Sequence, residues 1–246
     1  NFNKITDITS KIDWPKSPKV IFTSHMINNK TIPSFYVAKK KQEGSKLIHG
    51  QHGGGYGQCK FHWYEKFERE ISDKYLSWGF KDVNDNKLVP LGIFKPIKDL
   101  KNIDKRFNKK KNLLIVIRPK ERYFSTALDS KIRGPQILDY HLNCIKILDE
   151  LGTNIGNENV IIRLHERTYG WGEKKLWKDN CPNVFIDEGF KSINKSISKS
   201  KLVIYTYNGT GYLELMASNY PVLLLWSNKD NPLNAETEIF FNALKE

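Results

Sequence analysis

The chain has 246 residues, of which 39% are hydrophobic and 12% aromatic, a composition that supports a packed core and excludes an intrinsically disordered chain. It carries 40 Lys and Arg against 27 Asp and Glu, a formal net charge of +13. No apolar run approaches the roughly 20 residues that a membrane-spanning helix needs. We therefore expect a globular protein of one large or two smaller domains.

The positive charge is concentrated in one part of the chain. Residues 1–111 hold 23 basic and 11 acidic residues, whereas residues 112–246 hold 17 and 16. This asymmetry predicts a polyanionic partner, an anionic membrane surface or a phosphorylated acceptor. A chain that is simply rich in solvated lysines would show the same asymmetry, so both interpretations stay open.

The three cysteines, Cys59, Cys144 and Cys181, are far apart and form no CxxC pair, which favours neither a disulfide framework nor a zinc site. They fit a reducing compartment, so we expect a cytoplasmic protein. The first residues show neither an initiator Met nor a signal-peptide pattern. We expect the chain to be a piece of a longer protein whose first domain is incomplete.

Strand-like and helix-like segments alternate along the first part of the chain. The patterns predict strands over residues 19–27, 46–52 and 74–80, and helices over residues 34–44 and 59–72. In the second helix, Phe61, Tyr64, Phe67 and Ile71 share one apolar face. Residues 81–111 are polar, contain Pro90 and Pro96 and end in lysines, which is typical of an interdomain linker.

The second part of the chain repeats the alternation. Predicted strands cover residues 112–119, 159–166, 183–189, 201–207 and 221–226. Pro135 and Gly152 mark the start and end of a predicted helix over residues 135–151, and shorter helices follow before each of the last two strands. The pattern predicts a doubly wound α/β sheet. We therefore divide the chain into two α/β domains, 1–96 and 97–246.

Ligands of such sheets bind at the carboxyl ends of the strands, and polar residues follow these ends in both domains. In the first domain they are His49, Gln51, His52 and the run Gly53, Gly54 and Gly55. In the second domain they are Arg118, Arg163, His165, Arg167, Thr206, Asn208, Gly209, Thr210, Gly211 and Glu214.

The turn "TYNGTG" over residues 206–211 precedes a predicted helix. Asn208 or Thr210 can cap this helix, while Gly209 and Gly211 let backbone N–H groups approach a phosphate. Glu214, one turn further on, can bind a ribose diol. A simple capped helix with a surface glutamate explains the same residues. Neither the GxxxxGK[ST] nor the GxGxxG fingerprint is present.

The segment "RLHER" places Arg163, His165 and Arg167 on one side of a strand end if the alternation of a strand continues. Three cationic or protonatable groups together indicate an anion such as a phosphate. Surface ion pairs with Glu166 and Glu173 are the alternative.

His49 and His52 flank a glycine-rich loop. A metal site is unattractive because no carboxylate or thiol lies nearby in sequence as a third ligand. A general base is more plausible, since imidazole titrates near neutrality and glycines let an acceptor hydroxyl come close. A serine nucleophile is not indicated, because GxSxG is absent.

Three segments resemble known transferases. Residues 201–226, "KLVIYTYNGTGYLELMASNYPVLLLW", resemble the donor-site segment of two-domain GT-B glycosyltransferases, with matches at Glu214, Met216, Ala217, Pro221 and Val222. "VIIRLHER" resembles the "KLHP" segment of capsule and teichoic-acid polymerases, with Glu166 in place of the proline. "IHGQHGGGYG" resembles their "WHG" segment, with His49 at the histidine and three glycines as a departure. Together they resemble a family of surface-carbohydrate transferases that share "HGQHGGGYG".

This resemblance implies a GT-B-like fold of two Rossmann-like domains with a cleft between them. Residues 1–96 would bind the acceptor and residues 97–246 the donor. His49 would be the general base and His52 would orient or bind, with Gln51 and the glycine run forming the acceptor-side loop. The ten polar residues named for the second domain would bind the donor. The resemblance implies neither a metal nor another cofactor.

The implied function is transfer of a sugar from a nucleotide sugar, with a CMP-activated acid sugar as one candidate donor, to a surface polysaccharide or a lipid-linked acceptor. The implied setting is the cytoplasm or the inner face of the membrane, with peripheral contact to anionic lipid. A CDP-polyol phosphotransferase of the glycerol type shares two of the three segments and is the alternative. A basic nucleic-acid-binding module is a lesser one, because the aromatics form no RNP-like pattern.

Overall fold

The structure is a computed structural model that describes residues 2–28, 30–94, 110–122, 134–155, 159–227 and 232–245. The chain forms two compact units, Asn1–Lys95 together with Asn234–Glu246, and Pro96–Leu233. In the part of the chain that the structure describes, no helix is both long enough and apolar enough to cross a membrane.

The first unit is built on a parallel sheet of four strands in the order β1-β2-β3-β4. Its strands are β1 (Val20–Thr23), β2 (Lys46–Gly50), β3 (Lys74–Ser77) and β4 (Leu88–Pro90). Its helices are α1 (Phe2–Lys11), α2 (Thr31–Gln42), α3 (Trp63–Ile71) and a later helix, Ala235–Ala243. Thr23 pairs with His49 and His49 with Tyr75, so the polar residues after β1, β2 and β3 share one edge of the sheet.

The second unit contains a parallel sheet of five strands in the order β7-β6-β5-β8-β9. Its strands are β5 (Asn112–Val116), β6 (Val160–Arg163), β7 (Phe185–Asp187), β8 (Ser200–Tyr205) and β9 (Val222–Leu224). Its helices are α4 (Gly134–Ile155), α5 (Glu173–Asn180), α6 (Asn194–Ile197) and α7 (Thr210–Ala217). The last helix of the chain, Ala235–Ala243, belongs to the first unit and is called α8.

The core of the second unit explains why its strands read as continuous apolar runs. Leu113, Ile115 and Ile162 are buried against Leu148 of α4 and Trp177 of α5. A strand that is covered in this way has no solvent-facing positions to show as polar residues. The predicted α/β class, with two units that each contain a parallel sheet, is confirmed.

The end of the chain differs from the predicted domain division, which assigned residues 97–246 to the second domain. Residues 234–246 belong to the first unit. The side-chain amide of Asn234 donates to the carbonyl of Gly57 at 2.7 Å, and the Thr237 hydroxyl donates to the same carbonyl at 2.8 Å. These hydrogen bonds join positions that lie about 180 residues apart, which no local pattern predicts.

Two other predictions on segment boundaries are wrong. Part of the predicted linker 81–111 is folded, since Leu88–Pro90 forms β4 beside β3, while residues 95–109 lie outside the described residues. Helix α4 does not end at Gly152 but continues to Ile155.

The predicted apolar face of α3 is confirmed only in part, because Tyr64 and Ile71 pack against the core of the first unit and the two phenylalanines do not. Phe61 precedes the helix and is 70% exposed, and Phe67 is exposed as well. The helix instead buries two carboxylates, those of Glu65 and Glu68. Glu65 accepts a hydrogen bond from the backbone N–H of Gly57 at 2.7 Å, and Glu68 accepts one from Asn28, so polar contacts from outside the helix hold this face inward.

Candidate active site

Polar side chains gather at the carboxyl edge of the first sheet. His25 follows β1, His49 lies in β2 and His52 follows it, and Glu68 reaches the same region from α3. We call His25, Asn28, His49, His52, Tyr56 and Glu68 the histidine–glutamate cluster. Of these six residues, the sequence predicted only His49 and His52 as members of a catalytic site.

Glu68 lies at the centre of this cluster and is fully buried. Its Oε1 accepts a hydrogen bond from the Asn28 side-chain amide at 2.5 Å and another from the Tyr56 hydroxyl at 3.2 Å. The Nε2 atom of His49 lies 3.4 Å from the same oxygen, and Nδ1 of His52 lies 3.9 Å from it. Several elements thus converge on one carboxylate.

His52 is the cluster member that combines contact with Glu68 and access to solvent. Its side chain is 27% exposed, and its Nδ1 lies 2.9 Å from the Tyr56 hydroxyl. Burial lowers the pKa of His52, and the neighbouring His25 and His49 lower it further, whereas Glu68 and the backbone of Ser24 raise it. Because the net shift of this pKa is downward, the ring is uncharged at neutral pH and can accept a proton.

His49 does not occupy the position of a base. Its side chain is fully buried, its ring stacks on Tyr75 with centroids 6.1 Å apart, and neither ring nitrogen has a hydrogen-bond partner among the described residues. An acceptor hydroxyl cannot reach this ring. The burial of this ring contradicts the role of base that the resemblance implied for His49.

The acceptor-side loop is held in place by Gln51. This side chain is 2% exposed, donates to the carbonyl of Gly53 at 2.8 Å and accepts from the backbone N–H of Trp78 at 2.7 Å. Gln51 thus fastens the loop to the end of β3. Gly55 adopts a positive φ of 89°, a conformation that favours glycine, so at this position the turn itself requires the residue.

His25 could have been found from the sequence. It follows β1 as His52 follows β2, and it is exposed, with its ring 4.5 Å from that of His52. The predicted strand 19–27 was too long and placed His25 inside it, whereas β1 ends at Thr23. Tyr56 and Glu68 gave no such signal, because a tyrosine in a loop and a glutamate in a helix are common.

In the second unit, the strand order reverses between β5 and β8, and this switch point is where α/β sheets bind ligands. Arg118 follows β5 and residues 206–211 follow β8. The hydroxyl of Tyr140, from α4, accepts the backbone N–H of Arg118 at 2.7 Å and hydrogen bonds the Thr206 hydroxyl. Tyr140 thus connects the segment after β5, which contains Arg118, with the segment after β8, which contains Thr206.

Thr206 has a structural role in this arrangement. It is 8% exposed, and its hydroxyl donates to the carbonyl of Val116 at 2.8 Å. With its hydroxyl engaged by Val116 and Tyr140, Thr206 ties β8 to β5 and is not placed to bind a donor. This result corrects its assignment as a donor-binding residue.

The start of α7 differs from the predicted cap. Gly209 is the N-cap, and as a glycine it provides no side-chain cap. The Asn208 amide has neither capping role nor partner: both its polar atoms are buried without a hydrogen bond among the described residues. A Cβ atom on Gly211 would overlap the hydroxyl of Tyr205, so this glycine makes room for a buried tyrosine.

The guanidinium group of Arg163 forms hydrogen bonds within the second unit. Its Nη1 donates to Asp187 at 2.7 Å, and its Nη2 donates to the carbonyls of Gly189 and Lys191 at 3.1 and 2.7 Å. These bonds fasten the segment after β7, so Arg163 is not free to bind a phosphate. Both the predicted donor role and its alternative, a pair with Glu166 or Glu173, are wrong for this residue.

His165 and Arg167 are exposed in the loop after β6, which ends at Arg163, so the alternation of a strand does not reach them. The backbone N–H of Arg167 donates to Nδ1 of His165 at 3.1 Å. His165 also lines a cavity of about 450 Å³, whose other lining residues include Glu173, Lys174, Lys178 and Phe190.

Across residues 2–28, 30–94, 110–122, 134–155, 159–227 and 232–245, no His, Cys, Asp and Glu side chains form a group that could hold a metal ion.

The chain thus has two parallel sheets with polar residues after the carboxyl ends of their strands, an arrangement that is typical of α/β enzymes. A family model described as "LIC12162 family transferase" matches residues 1–246, so the chain belongs to this family. A search of curated proteins finds no match to the chain.

The solved structures that are similar to it include MurG and WaaG. MurG of Acinetobacter baumannii is 13% identical with a TM-score of 0.45, and the comparison covers 98% of this chain and 59% of that one. WaaG, described as a glycosyltransferase involved in lipopolysaccharide biosynthesis, is 13% identical with a TM-score of 0.38, and the comparison covers 100% of this chain and 72% of that one. The chain thus spans about three fifths of the length of MurG.

Proposed function

We propose that the chain is part of a glycosyltransferase that uses a nucleotide sugar, with His52 as the general base. The observation that carries this proposal is the partly exposed ring of His52 next to the fully buried carboxylate of Glu68, at a sheet edge where ligands bind. Membership in a transferase family agrees with it. The donor and acceptor are proposed from the chemistry of the residues at the two sheet edges.

The proposed reaction moves one proton and exchanges one bond. His52 takes the proton from a hydroxyl group of the saccharide or lipid-linked acceptor. The acceptor oxygen then bonds to the anomeric carbon of the donor, and the bond from that carbon to the phosphate oxygen breaks. The electron pair of that bond leaves with the nucleotide, whose phosphate gains the negative charge.

We assign donor binding to the second unit, with no metal and no other cofactor. Arg118 and Arg167 would neutralise the phosphate, assisted by His165 and by the N-terminal end of α7, where helix N–H groups favour anions. Asn208 has a buried amide with unused donors and acceptors that suit a nucleotide. Glu214 would bind a ribose diol, and a CMP-activated acid sugar remains the candidate donor.

Nucleotide binding tests this assignment. Among CMP, CDP, UDP and GDP, we expect one to raise the melting temperature of the intact chain by about 5–10 °C at 100 times its Kd. Arg118→Ala should lose most of this shift, because it removes the cation at the switch point. Lys201→Ala, which changes an exposed lysine on β8, should keep it. If all four nucleotides leave the melting temperature unchanged, the donor site is wrongly assigned.

The bond in the product separates the two enzyme classes. A glycosidic bond to the acceptor supports the glycosyltransferase. A phosphodiester in the product would instead identify a CDP-polyol phosphotransferase and reject the proposed reaction, even if His52 proved essential.

We also propose that the first unit contacts an anionic membrane, where a lipid-linked acceptor would lie. Around the start of α3, Phe61 is 70% and Trp63 57% exposed, and the exposed Lys60 and Lys66 flank them. Aromatic and basic side chains together suit the surface of an anionic bilayer. Binding of this kind would put the protein on the inner face of the membrane.

Vesicle sedimentation tests this contact. We expect binding to vesicles that contain phosphatidylglycerol but not to pure phosphatidylcholine, and a loss of about tenfold or more when Phe61 and Trp63 are both changed to Ser. Val83→Ser, at a position that is 98% exposed, is the matched control and should bind as the wild type does. Equal losses in the two variants would show that Phe61 and Trp63 do not form a specific membrane contact.

A further inference from the structure

Glu68 differs from its neighbour Glu65 although both are buried glutamates of α3. Glu65 pairs with Arg69 at 3.2 Å. Glu68 has no Lys or Arg partner among the described residues, and its ion-pair distances are to His49 and His52 alone. A buried carboxylate that is surrounded by imidazoles and hydroxyls is expensive as a structural element, so its presence indicates a function.

The atoms around Glu68 support this conclusion. Its Oε2, the Oδ1 of Asn28 and both ring nitrogens of His49 are buried and have no hydrogen-bond partner among the described residues. Four unsatisfied polar atoms in one small region are more than stability alone would retain.

Tyr56 connects this interior to His52. Its hydroxyl donates to Oε1 of Glu68 at 3.2 Å, and its oxygen lies 2.9 Å from Nδ1 of His52. When His52 carries a second ring proton, the Tyr56 oxygen is placed to accept the proton on Nδ1, and the backbone of Ser24 also favours the charged ring. The contact with the Tyr56 hydroxyl therefore favours one orientation of the His52 ring, and it favours the protonated form of this ring.

We propose that Glu68 is a positioning residue for His52: through the Tyr56 hydroxyl it holds the imidazole in place, and its negative charge stabilises the positive charge that the ring gains when it accepts a proton. The catalytic meaning of this inference rests on the proposed function, whereas the coupling itself is a property of the folded chain. The titratable groups that face His52 are His25 after β1, His49 of β2, Tyr56 of its own loop and Glu68 of α3.

NMR titration of the intact chain with 15N-labelled histidine tests the coupling without any assay of activity. Removal of the negative charge in Glu68→Gln should lower the pKa of His52 by about one unit, because the charged ring loses its counter-charge. Glu65→Gln, which changes a buried glutamate of the same helix outside the cluster, should leave this pKa unchanged within about 0.2 units. An unchanged pKa in Glu68→Gln, or an equal shift in Glu65→Gln, would overturn the proposal.

Tyr56→Phe keeps the charge of Glu68 and removes only the connecting hydroxyl, so it tests the orientation and replaces Glu68→Gln if that variant does not fold. We expect the Nδ1 resonance of His52 to move, and unchanged ring resonances would overturn the positioning role.

In an activity assay, Glu68→Gln should lower kcat about tenfold or more and shift its pH profile with the pKa of His52, with the donor KM unchanged. A coupled His52 in a chain without transferase activity would refute the proposed function and leave the coupling standing.

Discussion

His52→Gln should lower the turnover of the transferase by about 10²–10⁴-fold, since this is the range that a positioned general base contributes. The KM for the donor should stay nearly the same, because the donor is assigned to the other unit. The measurement is steady-state kinetics with the donor that the nucleotide screen identifies.

Two further variants make this result specific. Lys74→Gln changes an exposed residue at the amino end of β3 and should keep the wild-type turnover. His49→Gln should lose less than His52→Gln, because the ring of His49 is fully buried and acts only through its neighbours. A larger loss in His49→Gln would return the role of base to the residue that the resemblance nominated.

Arg163→Ala should destabilise the second unit by about 3 kcal/mol, because removal of one partner from a nearly buried ion pair strands the other charge. The Arg163 and Asp187 side chains are 11% and 13% exposed. The guanidinium also holds the carbonyls of Gly189 and Lys191, which would lose their donor. Urea unfolding at neutral pH measures the loss.

The pH dependence of this loss has a definite sign. Burial opposes ionisation of Asp187, but hydrogen bonds from Ser196 and Arg163 outweigh it, so its pKa lies below the ordinary value. The ion pair therefore stabilises the fold fully above about pH 4, and its contribution disappears as the pH falls through the lowered pKa.

An exposed ion pair provides the control for Arg163. Lys175 and Asp179 are 81% and 56% exposed, so Lys175→Ala should change the stability by less than about 1 kcal/mol. If Arg163→Ala were as mild, the guanidinium would not be structural, and its assignment to a phosphate would need to be reconsidered.

The architecture was predictable because buried strands leave a direct mark on the sequence. The run over residues 112–119 is apolar on both faces since β5 is the middle strand of five, and its neighbours β6 and β8 show the same composition. The alternation of such runs with helices leaves few arrangements other than parallel sheets. The register and the strand order did not follow from the sequence.

The rotation of α3 shows where sequence patterns fail. Hydrophobic periodicity places Phe61 and Phe67 inside, yet the structure buries Glu65 and Glu68. Glu68 is held by Asn28, which lies 40 residues away, and Glu65 is held by the backbone of Gly57. Contacts over such distances are invisible to a pattern that reads only neighbouring residues, and they override it at the candidate site.

The expectation that ligands bind at the carboxyl ends of the strands located the candidate site but did not give the role of each residue in it. It selected His49 and His52 together, although one is fully buried and the other partly exposed. It also selected Arg163 and Thr206, which the protein uses to fasten its own strands. Accessibility and existing hydrogen bonds decide between these roles, and both depend on tertiary structure.

The pH dependence of kcat/KM shows whether His52 is the general base. With His52 as the base, activity should fall on the acid side with an apparent pKa below 6.5, because burial lowers the pKa of this ring, and the activity that remains in His52→Gln should lose this acid limb. An acid limb that persists unchanged in His52→Gln would show that another group accepts the proton.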